Sequence, residues 1–359
     1  MSLIEWFGEK RKVSMMSIID ALMPAKKIVV YDVAASASGA LSVLNDFYAE
    51  VRNYNDKSIK WIFVISTPQL EETENIKVIR KPWVKKNWLC RLFFDYFVAP
   101  RIVKRERPYK IFSLQNTLVL NSNVGQVLYL HQPLPFVEYK FTLLESPLFW
   151  IYQNIIARFI YFSVKRADKV IVQTHWMKDA CIEGTGVDSE KIVVIPPVVN
   201  IVPKKFFAYE NMDIPTFIYP ATPLIYKNHK VIIEACKQLV RERVTNFRVI
   251  FTMTGTENKL AHRLKVEAEK YNLPIQFVGV LKRDELFEWY SKAILLFPSY
   301  IETFGLPLLE AKTYGAPVIA LDTSFAREIL NQYKLGVFFQ PKSKDCLKNI
   351  ILAEMDSDR

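Results

Sequence analysis

Metal-ligand spacings are missing from this chain of 359 residues, and neither a targeting segment nor a membrane span is expected in it. Its four cysteines, Cys90, Cys181, Cys236 and Cys346, are scattered singly and form no metal-binding spacing. Such cysteines suit a reducing cytoplasm, where they serve as small apolar residues of a core. No Asp-x-Asp pair stands in a strand-end loop of the kind that holds Mg²⁺ on a diphosphate, so no metal site is assigned. The N-terminus has no compact apolar stretch followed by a small-residue cleavage site, and no secretory signal is expected. An apolar stretch over 147–162 carries Gln153, Asn154 and Arg158 mid-span. Those residues argue against a bilayer-crossing helix and for one packed between a sheet and a membrane-facing surface. No Gly/Ser linker, low-complexity block or internal repeat interrupts the chain.

What is present suits two domains. Half of the residues are apolar, and the length exceeds that of an ordinary single domain. The net charge of +11 is uneven. Between Lys77 and Lys110 eleven basic residues stand against Asp95 and Glu106 alone, interleaved with Trp83, Trp88, Phe93, Phe94, Tyr96 and Phe97. Basic residues alternating with aromatics suit an anionic membrane surface, where each contributes about 1 kcal/mol. The plainer alternative is a helix with its aromatics in the core and its lysines in water. Nucleic acid fits poorly, since no nucleic-acid-binding motif accompanies the patch.

Along the chain, short apolar runs alternate with helical patterns. Strands are expected at 28–33, 60–65, 76–79, 110–114, 126–130, 169–173 and 191–195. The alternation then restarts, with strands near 216–220, 247–253, 275–279, 293–298, 316–320 and 336–339. This implies two α/β domains, each a mostly parallel sheet with helices on both faces. The expected organisation is an N-terminal extension over 1–26, a domain over 27–200 and a second over 201–359. The extension, with Trp6 and Phe7 beside Lys10, Arg11 and Lys12, reads as a short amphipathic appendage or as sequence ahead of the true start.

The most informative stretch is 298–310. Pro298 ends an apolar strand, Gly305 breaks the chain, and Leu308 begins a helix that Gly315 stops. Doubly wound sheets place ligands in such strand-to-helix loops. The amides of Thr303, Phe304, Gly305 and Leu306 open the helix, where unpaired N–H groups favour an anion such as a phosphate. Gly305 lets the backbone approach closely. Glu302 and Glu310, eight positions apart, are carboxylates suited to accept from hydroxyls of a sugar and a ribose. A sugar nucleotide offers all of these groups.

This string resembles the Glu-x7-Glu signature of retaining glycosyltransferases of family 4, used in polysaccharide and lipopolysaccharide biosynthesis. Tyr219, Pro220, Ala221 and Thr222, followed by Tyr226, Lys227, Asn228 and His229, look like that family's donor-phosphate segment. Phe277 to Gly279 and Arg283 to Leu286 look like the segment before the signature, and Gly315 to Ala320 like the strand after it. The similarity is dense over about 217–340 and sparse before 200.

The resemblance implies the GT-B fold, two Rossmann-like doubly wound domains facing across a cleft; the basic, aromatic run over 77–110 adds the expectation of a cytoplasmic protein lying on the inner face of the cell membrane. It implies a metal-independent transferase with no cofactor, whose donor substrate is a nucleotide-diphosphate sugar and whose acceptor is a glycan or lipid-linked glycan. Lys227 and Asn228 then serve the diphosphate, Glu302 the donor sugar and Glu310 the ribose. His131 takes the donor sugar or the reacting hydroxyl, and Gly39 brings its amide to the donor phosphate. Relatives often have two glycines where this chain has only Gly39. They also commonly carry an arginine where this chain has Ala221, and alanine cannot replace that fork. Three readings stay open: one cation with backbone amides suffices, Lys282 or Arg283 enters the site, or activity is weakened. Two alternatives accompany the transferase: a non-catalytic subunit binding a partner glycosyltransferase or the membrane, and a sugar-nucleotide epimerase on the same fold.

Overall fold

In the computed structural model the chain is described over residues 18–36, 38–197, 201–340 and 346–356. It divides into two compact units, Met1–Val199 and Asn200–Arg359. Among the described residues no helix is long and apolar enough to cross a membrane.

The first unit is built on seven strands: β1 (Lys27–Asp32), β2 (Lys60–Ile65), β3 (Ile76–Arg80), β4 (Lys110–Ser113), β5 (Gly125–Tyr129), β6 (Lys169–Val172) and β7 (Ile192–Val194). They form one sheet in the order β3-β2-β1-β4-β5-β6-β7, with every pair parallel. A parallel sheet is covered on both faces, so its strands read as continuous apolar runs. Ile28, Val29, Val30 and Tyr31 are all fully buried.

Successive residues point to opposite faces. Ile28, Val30, Phe63 and Phe112 meet Leu44, Phe47 and Val51 of the helix Ser38–Asn53. Val29, Tyr31 and Ile111 meet Phe94, Ala99, Ile102 and Val103 on the other face. Ile111 is paired with Gln126, and Leu128 with Val170. That register puts Leu128, Val170 and Val172 on this second face, where Ile160 and Val164 cover them.

Two interrupted helices therefore lie on one face of the sheet. The first runs through Trp88–Phe93, a π turn Phe94–Val98 and Ala99–Glu106. The second runs through Pro147–Ile151, a π turn Tyr152–Ile156 and Ala157–Arg166. Of the aromatics interleaved with the basic run, Phe94 is fully buried, whereas Trp88, Phe93, Tyr96 and Phe97 are exposed. The picture of an ordinary helix with all its aromatics in the core does not hold.

The described part of 1–26 is no appendage. Residues 18–22 are helical, and Ile18, Ile19, Leu22 and Ala25 are buried in the cluster under β1. Residues 1–17, with Trp6 and the basic triplet, lie outside the described residues. Cys181 and Cys236 are buried as expected of small apolar residues, but Cys90 is half-exposed in its helix's first turn. The side chain of Cys346 lies outside the described residues.

The second unit has six strands: β8 (Thr216–Tyr219), β9 (Arg248–Phe251), β10 (Ile275–Phe277), β11 (Ile294–Phe297), β12 (Val318–Leu321) and β13 (Gly336–Phe339). Their order is β10-β9-β8-β11-β12-β13, again all parallel. The strand order reverses between β8 and β11, and between β1 and β4 in the first unit. Ligands of open α/β sheets bind outside the carboxyl ends of strands at such reversals.

Candidate functional site

The loops that leave β8 and β11 hold Lys227 and Glu302, so the reversal point of the second sheet carries an ion pair. Lys227 Nζ donates to Glu302 Oε1, and Ser299 Oγ donates to the same oxygen at 2.8 Å. The two charged side chains are 17% and 16% exposed, reachable by a ligand yet largely out of bulk water. The loops are stitched together around them. Tyr219 Oη donates to the Lys227 carbonyl at 2.6 Å, Tyr300 N–H to the Tyr226 carbonyl at 3.1 Å and Asn228 Nδ2 to the Pro298 carbonyl at 3.3 Å. Asn228 sits in left-handed backbone (φ 56°), which asparagine tolerates better than most residues. The Lys227 ammonium also lies 5.5 Å from the Tyr226 ring centroid. Burial, reinforced by Glu302, pushes the Tyr226 hydroxyl up to about 12.

Gly305 precedes the helix Leu306–Tyr314 at φ 87°, a conformation side chains resist. A Cβ there would stand 3.1 Å from Leu308 Cδ1 and 3.6 Å from Phe325 Cδ2. Thr303 is half-buried and Phe304 buried, while Leu306 is exposed at the helix start. Glu310, expected to reach the ligand, is only 6% exposed. Tyr290 Oη donates to its Oε2 at 3.1 Å, and Arg283 lies 3.6 Å from Oε1. Burial raises its pKa against the pull of Tyr290 and Arg283. Arg283 is thus tied to the second glutamate of the signature, whereas the Lys282 amide caps its own helix through Glu285 at 2.7 Å.

Ala221 closes a turn back onto the Tyr219 carbonyl at 3.1 Å. His229, which sequence reasoning left without a role, is buried between the rings of Tyr219 (4.6 Å) and Phe251 (5.2 Å). Burial holds its pKa down to about 3, so the ring is neutral at physiological pH.

In the first unit, His131 follows β5 and is held by Asn116. Its amide donates to Asn116 Oδ1 at 2.7 Å, and its Nε2 lies 3.3 Å from Asn116 Nδ2. Burial pushes the imidazole down to about 4, leaving it neutral near pH 7. Asn116 was not foreseen; its left-handed backbone (φ 64°) is the physical reason an asparagine stands there. Gly39 lies in the first turn of the helix Ser38–Asn53, with open space where a Cβ would be. Packing therefore does not demand glycine at that position. Asp32 closes β1 with its side chain buried, also unforeseen.

Residues 203–358 match the family model "Glycosyl transferases group 1", and residues 61–202 match "Glycosyltransferase Family 4". The two models together span 61–358, so the chain is built of a family 4-like N-terminal and a group 1 C-terminal glycosyltransferase domain. It is 25% identical over 286 residues to the O-antigen chain mannosyltransferase RfbU of Salmonella typhimurium, covering 75% of this chain and 79% of that protein. Its match to a D-inositol 3-phosphate glycosyltransferase of Streptomyces bingchenggensis is 29% identical but spans only 44% of this chain and 39% of that protein. Among solved structures, sucrose-phosphate synthase of Thermosynechococcus elongatus superposes with a TM-score of 0.71 at 17% identity, covering 93% of this chain and 90% of that one. Anabaena HepE in complex with UDP-glucose gives 0.63 at 17%, covering 92% and 90%. At these identities the superpositions show the fold, and the fold is GT-B.

A further loop of this glycosyltransferase lies one strand from the Lys227–Glu302 pair, at the carboxyl end of β9. Glu257 there collects the amides of Thr254 at 2.5 Å and of Gly255 and Thr256 at 3.0 Å each. Burial opposes its ionisation, but those amides hold it below the usual carboxylate range. The glycosyltransferase thus presents cation, carboxylate and helix-start amides at one sheet end. Such a set can exchange its internal pair for a phosphate and hydroxyls.

Proposed function

We propose that this glycosyltransferase moves a sugar from a nucleoside-diphosphate sugar to an acceptor hydroxyl with retention of anomeric configuration and without a metal ion. The Lys227–Glu302 pair at the reversal point of the second sheet is the observation that carries the reading. A bound donor would replace each partner by its own group: phosphate oxygens on Lys227, sugar hydroxyls on Glu302. The Leu306 amide at the helix start adds partial positive charge, with the amides of Thr303, Phe304 and Gly305 in the loop just before it. Asn228 shapes the loop that presents Lys227. Glu310 takes the ribose, and Arg283, already beside Glu310, supplies the second cation that Ala221 does not. The solved likeness to a UDP-glucose complex supports a nucleotide-sugar donor.

Among the described residues no carboxylate is assigned as a nucleophile, and the family resemblance favours attack from the face the leaving group departs. The acceptor oxygen bonds to the anomeric carbon, the bond from that carbon to the phosphate oxygen breaks, and the acceptor proton passes to the departing phosphate. Catalysis is then positioning and charge stabilisation. His131, neutral near pH 7, orients the sugar or the reacting hydroxyl, and the Gly39 amide adds a phosphate contact. The mannosyltransferase likeness and the basic, aromatic surface over 77–110 support a lipid-linked glycan of a surface polysaccharide as acceptor.

Titration with UDP, GDP and ADP, followed by NMR of the product anomer with and without chelator, tests this. Expected are binding of one nucleotide class, a retained anomer and indifference to chelator. Absence of nucleotide binding and of donor hydrolysis at high enzyme would establish instead the non-catalytic subunit that Ala221 favours. Donor conversion to another sugar nucleotide with no acceptor present would identify an epimerase.

A further inference from the structure

The two π-interrupted helices on one face of the first sheet carry a feature that the donor site does not explain. Their outer sides are apolar where they begin and basic where they end. On the first helix, Trp88, Leu89, Phe93 and Phe97 are 51–69% exposed, and the stripe passes into Arg101 and Lys104. On the second, Leu148, Ile151, Ile155, Phe159 and Phe162 are 37–59% exposed at spacings of three and four, passing into Lys165 and Arg166. Such spacing lines one side of a helix. The loop before the second helix carries Leu143 and Leu144, the latter 98% exposed, followed by Glu145 and the cap Ser146.

Direction comes from topology. Each helix leaves the carboxyl end of one strand and returns to the amino end of the next, so both begin at the sheet edge where ligands bind. The apolar halves, with Leu143 and Leu144, therefore lie together toward that edge, and the basic ends lie together away from it. At the basic end of the first helix is a cleft of about 550 Å³ lined by Arg101, Lys104, Arg107, Asn121, Ser122 and Asn123, with no acidic residue in its wall. Among the described residues neither Lys104 nor Arg107 has an ion-pair partner.

A soluble surface does not keep this much aromatic and aliphatic area in water without a partner. A protein partner would have to match apolar stripes, a leucine tip and an unneutralised basic cleft at once. A bilayer with anionic lipid does so by its layering, apolar at depth and negative at the headgroups. We infer that this face docks on an anionic membrane, with both stripes and the Leu143–Leu144 tip in the interface and a lipid headgroup phosphate in the Arg101–Lys104–Arg107 cleft. The inference deepens the lipid-linked acceptor reading above: the ligand-binding end of the first sheet faces the edge where an acceptor in the bilayer emerges.

The test uses the whole chain and sedimentation with vesicles of phosphatidylcholine alone or in equal mixture with phosphatidylglycerol. The wild type should bind the mixture and not the neutral vesicles. Neutralising the cleft as R101Q/K104Q/R107N should weaken binding roughly a hundredfold, about fivefold per basic residue; asparagine suits the left-handed backbone at Arg107 (φ 45°). F159S/F162S and L143S/L144S should each weaken binding at least tenfold, because a one-helix surface would not involve them. The first unit's thermal transition on the same samples checks folding, and nucleotide titration separates the two readings, since the donor is held mainly by the other unit. Absence of binding to mixed vesicles at low salt overturns the inference. So does wild-type binding by F159S/F162S, equal binding to neutral vesicles, or full competition by millimolar inorganic phosphate. Self-association lost in F159S/F162S, with vesicles ignored, would make the face a contact between copies and overturn it as well.

Discussion

Asp32 ends β1 with Oδ1 accepting from the Ala35 amide at 3.0 Å and Oδ2 without a hydrogen-bond partner. Burial, only partly offset by that amide and by Arg91 and Lys85, pushes its carboxyl up to about 7. A group with a raised folded pKa binds its proton more tightly in the native state. Its contribution is complete below the unfolded value near 3.8 and is lost as pH rises through about 7. Asp32→Asn should therefore flatten the loss of stability between about pH 4 and 7, read as thermal midpoint against pH. An unchanged slope would mean that Asp32 is ionised and solvated. Glu302 carries the complementary prediction for activity. Glu302→Gln keeps the shape and the Ser299 contact but removes the charge opposite Lys227. Turnover should fall roughly 10²-fold by electrostatics at the reacting sugar, with a thermal midpoint close to wild type. Full activity in that variant would remove Glu302 from the donor pocket.

At the scale of elements, the strands were legible because a parallel sheet buried on both faces needs runs such as 28–31 and 294–297 without polar interruption. The loop 298–305 was legible because Pro298 and Gly305 punctuate it. The π turns were not, since one additional residue per turn leaves composition unchanged while rotating the remainder of the helix about its axis. Phe94, at the start of the first π turn, is buried, while Phe93 and Phe97 are exposed. Nor could spacing tell that Glu310, correctly placed on the helix, meets Tyr290 and Arg283, because the contact joins residues 20 and 27 positions apart. The Gly305 turn gives the element's own prediction. Gly305→Ala adds a methyl 3.1 Å from Leu308 Cδ1 and forces an L residue to φ 87°. The backbone alone makes that cost about 1–2 kcal/mol. Thermal denaturation should show it together with weakened nucleotide binding, and a stability equal to wild type would mean the turn relaxes.

For the whole molecule, two compact units with separate cores make two thermal transitions a natural expectation, and the first unit's can be marked by mutation. Phe94 is fully buried against Tyr31 and Val103 in the first unit's core. Phe94→Ala should cost about 3–5 kcal/mol there and lower that unit's transition alone. A nucleoside diphosphate at a hundred times its Kd then stabilises whichever unit binds it by about 2.7 kcal/mol. For a unit of this size the shift is roughly 5–10 °C. Because Lys227, Glu302, Gly305 and Glu310 all belong to Asn200–Arg359, calorimetry should show the unmarked transition move and the Phe94-marked one stay. Movement of the marked transition alone would put the donor in the first unit, where Gly39 and His131 stand, and would reverse the assignment of the two halves.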